Sequence, residues 1–311
     1  MIGDMLPAGI IGFGRVGAAF AGALAEAGHP LVAVAARSPA SRDKADAVAP
    51  AAGIVSPRQV AQRAGLVFLT VPDARIGPVA AELAQAWRPG QIVAHASGAL
   101  GVEVLQPVLA AGGVGLAIHP AMTFTGTSLD IARMRGAAFA VDAPPGMLPL
   151  AQALAVELGG RPVAVAGADR PVYHAALSHA ANHLVTILAQ AADLLAASGV
   201  ADPSAVLGPL ARAALENALD LGAAALTGPA SRGDCLTLAA HTQALAAFAA
   251  RRGGLVDGSV AVDAAGRAAL DTAATYRQLA QATLRAAAAA GRITAQQLAA
   301  CQAALTAGAE S

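Results

Sequence analysis

The first half of the chain alternates short apolar runs with stretches of helical spacing. The first apolar run begins near residue 8, and helical stretches such as Arg58–Arg63 and Arg75–Ala86 separate several later runs. Those runs are Leu31–Ala36, Gly53–Val55, Leu66–Val71, Gln91–His95, Val114–Ile118, Ala137–Val141 and Pro162–Ala166. Strands that alternate with helices predict an α/β fold with a doubly wound, mostly parallel Rossmann sheet. The last runs are less regular and predict a mixed or antiparallel edge.

From Gly167 onward, Ala and Leu at helical spacing replace the strand pattern. Pro171 suits the first turn of a helix. The spacing predicts helices over 171–197, 203–226, 235–251, 263–290 and 294–307. The chain is therefore predicted to hold two domains, a dinucleotide-binding Rossmann domain over 1–168 and an all-α domain over 169–311. Such an apolar helical domain is expected to form a homodimer and to carry part of the substrate site.

A glycine-rich turn joins the first apolar run to the first helical stretch. Its G-x-G-x-x-G pattern, in the order strand, turn, helix, is typical of a dinucleotide fingerprint. The predicted phosphate-binding residues are Gly12, Phe13, Gly14, Arg15, Val16 and Gly17. The free amides at the start of the helix would face the phosphates. The alternative is an ordinary glycine-rich turn between a strand and a helix.

The second apolar run ends in Arg37-Ser38, and Arg42 follows shortly after. Sites that prefer NAD carry an acid at this point, which binds the ribose 2′-hydroxyl. An arginine followed by a hydroxyl suits a 2′-phosphate instead, because guanidinium pairs with phosphate in a forked geometry. We therefore expect NADP as the cofactor. The alternative is a solvated basic loop.

Polar residues follow three of the predicted strands. The carboxyl ends of parallel strands meet at one edge of the sheet, where ligands bind. The segments are Val71-Pro72-Asp73, His95-Ala96-Ser97-Gly98 and His119-Pro120. The first segment and Ser97 are expected to border the cofactor, and Ser97 and His119 to face the substrate. Each segment is also a plain turn signal, and His95 could be buried in its strand.

The first helix of the second domain carries a polar stripe. His174, Ser178 and Asn182 recur every four residues and so share one face. We expect these three residues to be catalytic or to orient the substrate. The alternative is a solvated or interface polar stripe. His179 and His183 form a neighbouring pair, but no carboxylate or cysteine nearby completes a metal site, so no metal is expected.

The loop 226–234 is rich in hydroxyls and glycine. Its candidate substrate-binding residues are Thr227, Gly228, Pro229, Arg232 and Asp234. They could form a cradle for a carboxylate. Equally, Asp234 could cap the next helix and Arg232 could be solvated.

The chain has 311 residues, zero formal net charge and 56% hydrophobic residues. No long basic run favours nucleic acid or an anionic membrane, and polar residues interrupt each apolar helix. The first strand begins too early for a signal peptide. Cys235 and Cys301 are far apart in sequence, which predicts two free thiols, a reducing compartment and a soluble cytoplasmic protein. The one lysine, Lys44, leaves the helical half without a lysine acid.

The chain as a whole resembles the bacterial predicted oxidoreductases that join a Rossmann-like domain to a helical domain of unknown function. More broadly, its first half resembles the phosphogluconate dehydrogenase-like superfamily, which includes pyrroline-5-carboxylate reductases. The resemblance rests on the glycine turn, the three strand-end segments with Thr123-Phe124, Tyr173–Asn182 and, most specifically, Leu226–Asp234. It implies a dimeric, NADP-binding reductase with its active site between the domains. Many relatives carry a lysine where this chain has Ser178.

These features predict hydride transfer between NADPH and a small oxo acid, similar to ketopantoate, or an imine. His119 or His174 would supply the proton, and Asn182 and Ser97 would orient the substrate. One alternative is a dimeric sensor that binds NADP without catalysis, which the missing lysine favours. The other is a structural dimer with a vestigial Rossmann fold, which the intact glycine pattern disfavours.

Overall fold

The computed structural model of the protein describes residues 5–252 and 264–307. The chain divides into two compact units, Met1–His183 and Leu184–Ser311, and each is described by itself. The predicted boundary at 168–169 lies just before a long helix, whereas the division into units falls inside that helix.

The first unit is built on an eight-stranded sheet. Its strands are β1 (Ala8–Ile11), β2 (Leu31–Ala35), β3 (Gly53–Ile54), β4 (Leu66–Leu69), β5 (Ile92–His95), β6 (Val114–Pro120), β7 (Ala138–Asp142) and β8 (Arg161–Ala164). They lie in the order β3-β2-β1-β4-β5-β6-β7-β8. All neighbours are parallel except β6 and β7, which are antiparallel. The predicted Rossmann sheet and its antiparallel edge are both confirmed.

Both faces of the central strands β1, β4 and β5 are buried, which explains why these strands are continuous apolar runs. Successive side chains of one strand point to opposite faces. In β1, Ile10 packs into a cluster with Phe20 and Phe68, whereas Ile11 packs into a second cluster with Leu69. The two cores on opposite faces are the physical basis of the doubly wound arrangement.

The helices of the first unit connect the strands. They are α1 (Arg15–Glu26), α2 (Pro39–Val48), α3 (Pro57–Arg63), α4 (Asp73–Glu82), α5 (Gln106–Ala110), α6 (Leu129–Met134) and α7 (Leu148–Glu157), followed by the long α8 (Arg170–Ala197). Local capping fixes two of their starts. Ser38 accepts a hydrogen bond from the Ser41 amide at the start of α2, and Ser56 and Gln59 form a reciprocal capping box before α3. These caps satisfy amides that the first helical turn leaves free.

The second unit contains the end of α8 and five further helices among the described residues. They are α9 (Pro203–Leu221), α10 (Pro229–Arg232), α11 (Cys235–Arg252), α12 (Ala264–Ala289) and α13 (Ala295–Ala307). The prediction that α9 extends to residue 226 is wrong, because Gly222 takes a φ of 58° and ends the helix. The loop 226–234 also contains the helical turn α10. The predicted first residue of α12, residue 263, lies outside the described residues.

Cys235 and Cys301 are a disulfide pair, with a separation of 4.5 Å between their Cα atoms. The expectation of two free thiols is therefore wrong. The pair links α11 to α13, and Cys301 is buried with Leu238, Leu284 and Leu305 in the core of the second unit. A sequence separation of 66 residues carries no information about this distance, which the packing of the helices sets.

One helical segment, Gly167–Ala197, has the length and hydropathy of a membrane span, with a mean hydropathy of 1.2 over its most apolar window. This criterion uses length and composition only, and apolar helices of soluble proteins also meet it. The segment carries Arg170, Asn182 and three histidines. No other described helix meets the criterion.

Candidate functional site

A cavity of about 1140 Å³ opens at the carboxyl ends of β1, β2 and β4. The chain leaves β1 toward β2 on one side, and β4 lies on the other, so the sheet order reverses between β1 and β4. In open α/β sheets this reversal point is where ligands bind. Gly12, Gly14, Arg37 and Val71 line the cavity, so the predicted cofactor residues lie where the topology places a ligand.

The three glycines of the turn have three different surroundings. Gly12 has a φ of 100°, a conformation that disfavours other residues, and so makes the sharp turn out of β1. At Gly17, a Cβ would overlap the carbonyl of Gly12 and lie 2.7 Å from Thr70 Oγ1, so α1 can pack closely on the strands. At Gly14, a Cβ would meet no atom within 4 Å. The protein's own packing does not explain Gly14, whereas a ligand that approaches the backbone does, so the turn fits a dinucleotide diphosphate.

The cavity continues past the end of β2. The predicted residues Arg37, Ser38 and Arg42 line it there, together with Phe13 and Pro72. Arg37 is exposed, and Ser38 Oγ lies 2.8 Å from Ser41 Oγ at the start of α2. This end of the cavity thus combines a guanidinium, two hydroxyls and a helix N-terminus, which are all groups that bind phosphate.

Part of the cavity wall is not predicted by the sequence. It consists of Ser56, Gln59, Arg75 and Glu82. The Arg75 guanidinium pairs with Glu82 at 2.9 Å. These residues lie on helices far from the glycine turn in sequence, and no motif marks them. Of the predicted cofactor residues, Arg15, Val16, Gly17, Asp73 and Ser97 do not line the cavity.

Ser97 connects the cavity to the next strand ends. Its hydroxyl donates to Asp73 Oδ2 at 2.6 Å and accepts from the amides of Ala99 and Leu100. Asp73 follows the cavity-lining Val71 and Pro72 directly. The Ser97 side chain therefore fixes the turn after β5 against the start of α4, and its hydroxyl proton is directed to Asp73.

His95 is fully buried at the end of β5. Its Nδ1 accepts from the Ser97 amide at 3.2 Å, so its Nε2 carries the proton and donates to the Gly101 carbonyl at 3.0 Å. Burial is the main reason that the pKa of His95 is lowered from 6.5 to about 4. His95 is thus a neutral core histidine that shapes the turn, as the buried alternative predicts.

His119 on β6 meets two residues of the first turns of α8. Its Nδ1 lies 3.1 Å from Tyr173 Oη, and its ring lies edge-on to His174, with ring centroids 6.1 Å apart. Both imidazoles pack on Gly98, where a Cβ would lie 2.9 Å from His119 Nε2 and 2.7 Å from His174 Cδ2. The predicted His119 and His174 therefore share one cluster, to which the structure adds Tyr173.

The pKa of His119 is also lowered from 6.5 to about 4. Burial contributes most, followed by the charge of Arg170 and by His174, whereas Asp73 acts in the opposite direction. Burial raises the pKa of the Tyr173 hydroxyl. At neutral pH the pair is therefore a neutral imidazole hydrogen-bonded to a neutral phenol.

Arg170 is a further residue of this region that the sequence does not predict. In the structure its side chain is fully buried, and Nη2 donates to the Ser97 carbonyl at 2.7 Å. A charged side chain at the start of an exposed apolar helix is commonly solvated, so no pattern in the sequence predicts this burial.

The remaining polar residues of α8 lie further from this cluster. Ser178 is half-buried one turn after His174, and Asn182 is exposed one turn later. His179 Nδ1 lies 2.8 Å from His183 Nδ1. The described residues contain no group of three or more His, Cys, Asp or Glu side chains suited to a metal.

The loop 226–234 in the second unit is braced by two arginines. Arg232 donates to the Thr227 carbonyl, and Arg292 donates to the carbonyls of Ala224 and Leu226 at 2.9 and 2.8 Å. Asp234 accepts from the amide and hydroxyl of Thr237, so it caps α11. Those bonds lower the pKa of Asp234. Asp234 therefore lies where the alternative interpretation, a helix cap, predicts it. A role of this loop in substrate binding stays a prediction.

The surroundings of Gly14 allow a direct test of ligand binding. We expect Gly14→Ala to weaken NADPH binding by about tenfold or more, because the new methyl group enters space open only to a ligand. The ligand-free protein should lose no more than about 1 kcal/mol of stability, the range for a helix N-cap change. Calorimetric titration and thermal melts measure the two effects.

Gly17→Ala is the matched control, because its methyl group overlaps the protein itself and should lower the melting temperature without ligand. Unchanged NADPH affinity in Gly14→Ala would contradict the assignment of the cavity.

Two family profiles match the chain. Residues 3–120 match the Rossmann-like domain, and residues 137–283 match the domain of unknown function DUF2520. A search among curated protein sequences found no match.

Solved structures with the same fold include several oxidoreductases. A Bacteroides fragilis protein, provisionally described as an NADP oxidoreductase, is 21% identical with a TM-score of 0.69, over 90% of this chain and 98% of its own. Pyrroline carboxylate reductase of Plasmodium falciparum, solved with NADP, is 12% identical with a TM-score of 0.54, over 97% and 98%. An NADH-preferring ketol-acid reductoisomerase of an uncultured archaeon is 14% identical with a TM-score of 0.55, over 72% and 73%.

These similarities show the fold, and the two profiles together account for most of the chain. The profiles meet within the sheet, since the first ends at the end of β6 and the second begins just before β7. The chain therefore combines a Rossmann-like N-terminal domain with a C-terminal DUF2520 domain.

Proposed function

We propose that this protein is an NADP-dependent oxidoreductase that transfers a hydride between NADPH and a small oxo acid or imine. One observation carries the proposal: a short series of neighbouring residues links the cavity wall at the sheet reversal to the polar cluster. Val71 and Pro72 line the cavity, the next residue Asp73 accepts from Ser97, and Gly98 then carries the rings of His119 and His174. A dinucleotide fold and titratable groups thus meet at one edge of the sheet, and the oxidoreductases of similar fold support the reaction class.

The roles of the residues follow from their positions. The amides of the glycine turn bind the diphosphate, and Arg37 and Ser38 bind the 2′-phosphate. NADPH bound in the cavity would supply a hydride to the carbonyl or imine carbon of the substrate. The substrate oxygen or nitrogen would then take a proton from His174 or from the Tyr173 hydroxyl, which the hydrogen bond to His119 would hold in place.

Other predicted residues would complete the substrate site. Asn182 and Ser178 follow His174 on α8 and would orient the substrate by hydrogen bonds. Ser97 supports the site through its turn, because its hydroxyl is already bonded to Asp73. A carboxylate-binding role for the segment Thr227–Asp234 of the second unit, through its hydroxyls and amides, stays a prediction.

A second candidate function is a dimeric NADP sensor without catalysis. The observation that favours it is Ser178, which stands where many related reductases carry a catalytic lysine. A serine hydroxyl is a poor proton donor at neutral pH. The sensor shares the cofactor site with the reductase and differs in the absence of turnover.

Turnover separates the two functions. Purified protein is mixed with NADPH and a panel of 2-oxo acids and cyclic imines, and NADPH absorbance is followed. We expect turnover with at least one substrate, and a fall in kcat of about 100-fold in His174→Gln or His119→Gln, in the range for removal of an acid.

His179→Gln on the same helix is the control and should leave kcat unchanged. Tight NADPH binding without any turnover would favour the sensor, and full activity in both other variants would reject the proposed proton donors.

Cofactor preference is tested at Arg37. Removal of a guanidinium that binds phosphate costs about 1.5–3 kcal/mol, so Arg37→Ala should weaken NADPH binding by roughly tenfold or more. NADH binding should change little, because NADH lacks the 2′-phosphate. Arg161→Ala removes the same charge at the opposite edge of the sheet and is the control. Equal affinities for NADPH and NADH in the wild type would refute the preference.

We further propose a soluble homodimer that associates through the helical unit. None of the 19 residues of α9 is buried, and Leu210, Leu219 and Leu221 are among its most exposed side chains. An apolar face of this size is typical of a protein interface. Light scattering without detergent should give twice the chain mass, and Leu219→Glu should lower it toward one chain mass. A monomeric wild type would contradict the proposal.

A further inference from the structure

We infer that Arg170 is a positioning residue for the Tyr173–His119 pair, because its guanidinium joins the first turn of α8 to the turn after β5 and to β7. The catalytic consequence of this role rests on the proposed reductase function, but the role itself does not. Nothing in the fold or in the sequence motifs assigns a function to Arg170.

The burial of Arg170 is costly. The side chain has 0% exposure, and within the described part of the chain Nη1 and Nη2 reach only the carbonyls of Ala140 and Ser97, at 3.5 and 2.7 Å. Its Nε has no hydrogen-bond partner among the described residues. No described carboxylate lies within ion-pair distance of the group. A buried charge with so few partners is expensive, whereas a leucine or methionine could fill the same space, so packing alone does not account for an arginine here.

The position of Arg170 on α8 also allows it to orient Tyr173 and His174. Tyr173 and His174 are three and four residues after Arg170, so all three side chains lie on one face of α8. Anchoring Arg170 to the Ser97 carbonyl fixes the rotation of that face. The rotation places Tyr173 Oη 3.1 Å from His119 Nδ1 and His174 against Gly98. Gly98 is the neighbour of Ser97, so the guanidinium holds the helix and the surface on which both rings pack.

The charge of Arg170 also acts on His119. The groups that act on His119 are Arg170 and His174 on α8, Asp73 on α4 and His95 on β5. Arg170 is the largest charge effect among them and favours the neutral imidazole, whereas Asp73 favours the protonated one. The neutral form can hold a single donor–acceptor arrangement with Tyr173 Oη across the neutral pH range. Arg170 thus acts on His119 through both position and field.

The carboxylates that face Arg170 are already committed to backbone amides. Asp142 Oδ2 accepts from the Val102 amide at 2.9 Å, and Glu103 Oε1 accepts from the Gly101 amide at 3.1 Å. Both carboxylates stand beside Gly167, where a Cβ would lie 2.8 Å from Glu103 Oε2 and 3.3 Å from Asp142 Oδ2. They stabilise the turn that leads into α8 by accepting hydrogen bonds from backbone amides. The guanidinium instead donates to the carbonyls of Ser97 and Ala140.

Two variants separate position from charge. Arg170→Met keeps the length and apolar volume of the side chain and removes the charge, and Arg170→Lys keeps the charge and removes the forked donor. Arg135→Met, at an exposed arginine paired with Glu26, is the control. The readout is nitrogen NMR of histidine-labelled protein, which reports the tautomer and the pKa of His119, with signals assigned through His119→Gln.

In the wild type we expect a neutral His119 with its pKa at about 4. In Arg170→Met the pKa should rise by roughly 1 unit or more toward 6.5, because the nearby positive charge is gone. Arg170→Lys should keep the low pKa but populate both tautomers, because the Ser97 anchor is lost. Arg135→Met should match the wild type. The affinity for NADPH should be unchanged in all three variants, since Arg170 does not line the cofactor cavity.

With an active enzyme, Arg170→Met should lower kcat by about tenfold or more and leave KM for NADPH unchanged. Lysine should restore only part of kcat. The NMR result stands whether or not a substrate is found, so failure of the reductase function and failure of this inference are distinguishable.

A wild-type tautomer and pKa of His119 in folded Arg170→Met would overturn the inference. If Arg170→Met does not fold, Arg170→Lys provides the test. In that variant, a single His119 tautomer as in the wild type, together with wild-type kcat, would also overturn the inference.

Discussion

The first unit depends on the close approach between the glycine turn and β4. Thr70 at the end of β4 donates to the carbonyl of Gly12, and Gly17 allows α1 to lie against both. This contact holds β1, β4 and α1 together at the reversal of the sheet. Because the cavity opens at that point, its position follows from the contact rather than from the residues that line its far wall. A side chain at Gly12 or Gly17 would separate the elements that form the cavity.

The strand ends beside the cavity carry polar groups that the fold keeps uncharged. His95 and His119 each have a pKa of about 4 through burial, and the charge of Arg170 adds to the effect. Hydrogen bonds to the Gly101 carbonyl and the Ser97 amide satisfy both ring nitrogens of His95, and a hydrogen bond with Tyr173 satisfies Nδ1 of His119. A neutral histidine with fixed partners has a defined tautomer, which is what an ordered proton-transfer path requires. The cost of the buried cation is consistent with a site selected for chemistry rather than for stability alone.

The second unit has a small core and large exposed apolar faces. Its core consists of α10 to α13, and the disulfide between Cys235 and Cys301 lies within it. In contrast, α9 buries no residue in the single chain. Apolar surface of this extent is unfavourable in water and is typical of a protein interface. We therefore propose that a second copy of the chain covers it.

The sequence alone determined the architecture of the first unit and the location of the cavity at the reversal of its sheet. Apolar runs, helical spacing and three glycines are local patterns, and each reports a local requirement of the backbone or of burial on both faces. It also predicted that His119 and Ser97 lie at one edge, because the ends of parallel strands share it, and it predicted His174 from the polar stripe of α8. Tertiary structure decided what these residues contact. The burial of Arg170, the pairing of Tyr173 with His119, the cavity wall at Arg75 and the Cys235–Cys301 disulfide all join segments distant in sequence. Such contacts depend on how elements pack, and packing leaves no periodic mark on a single sequence.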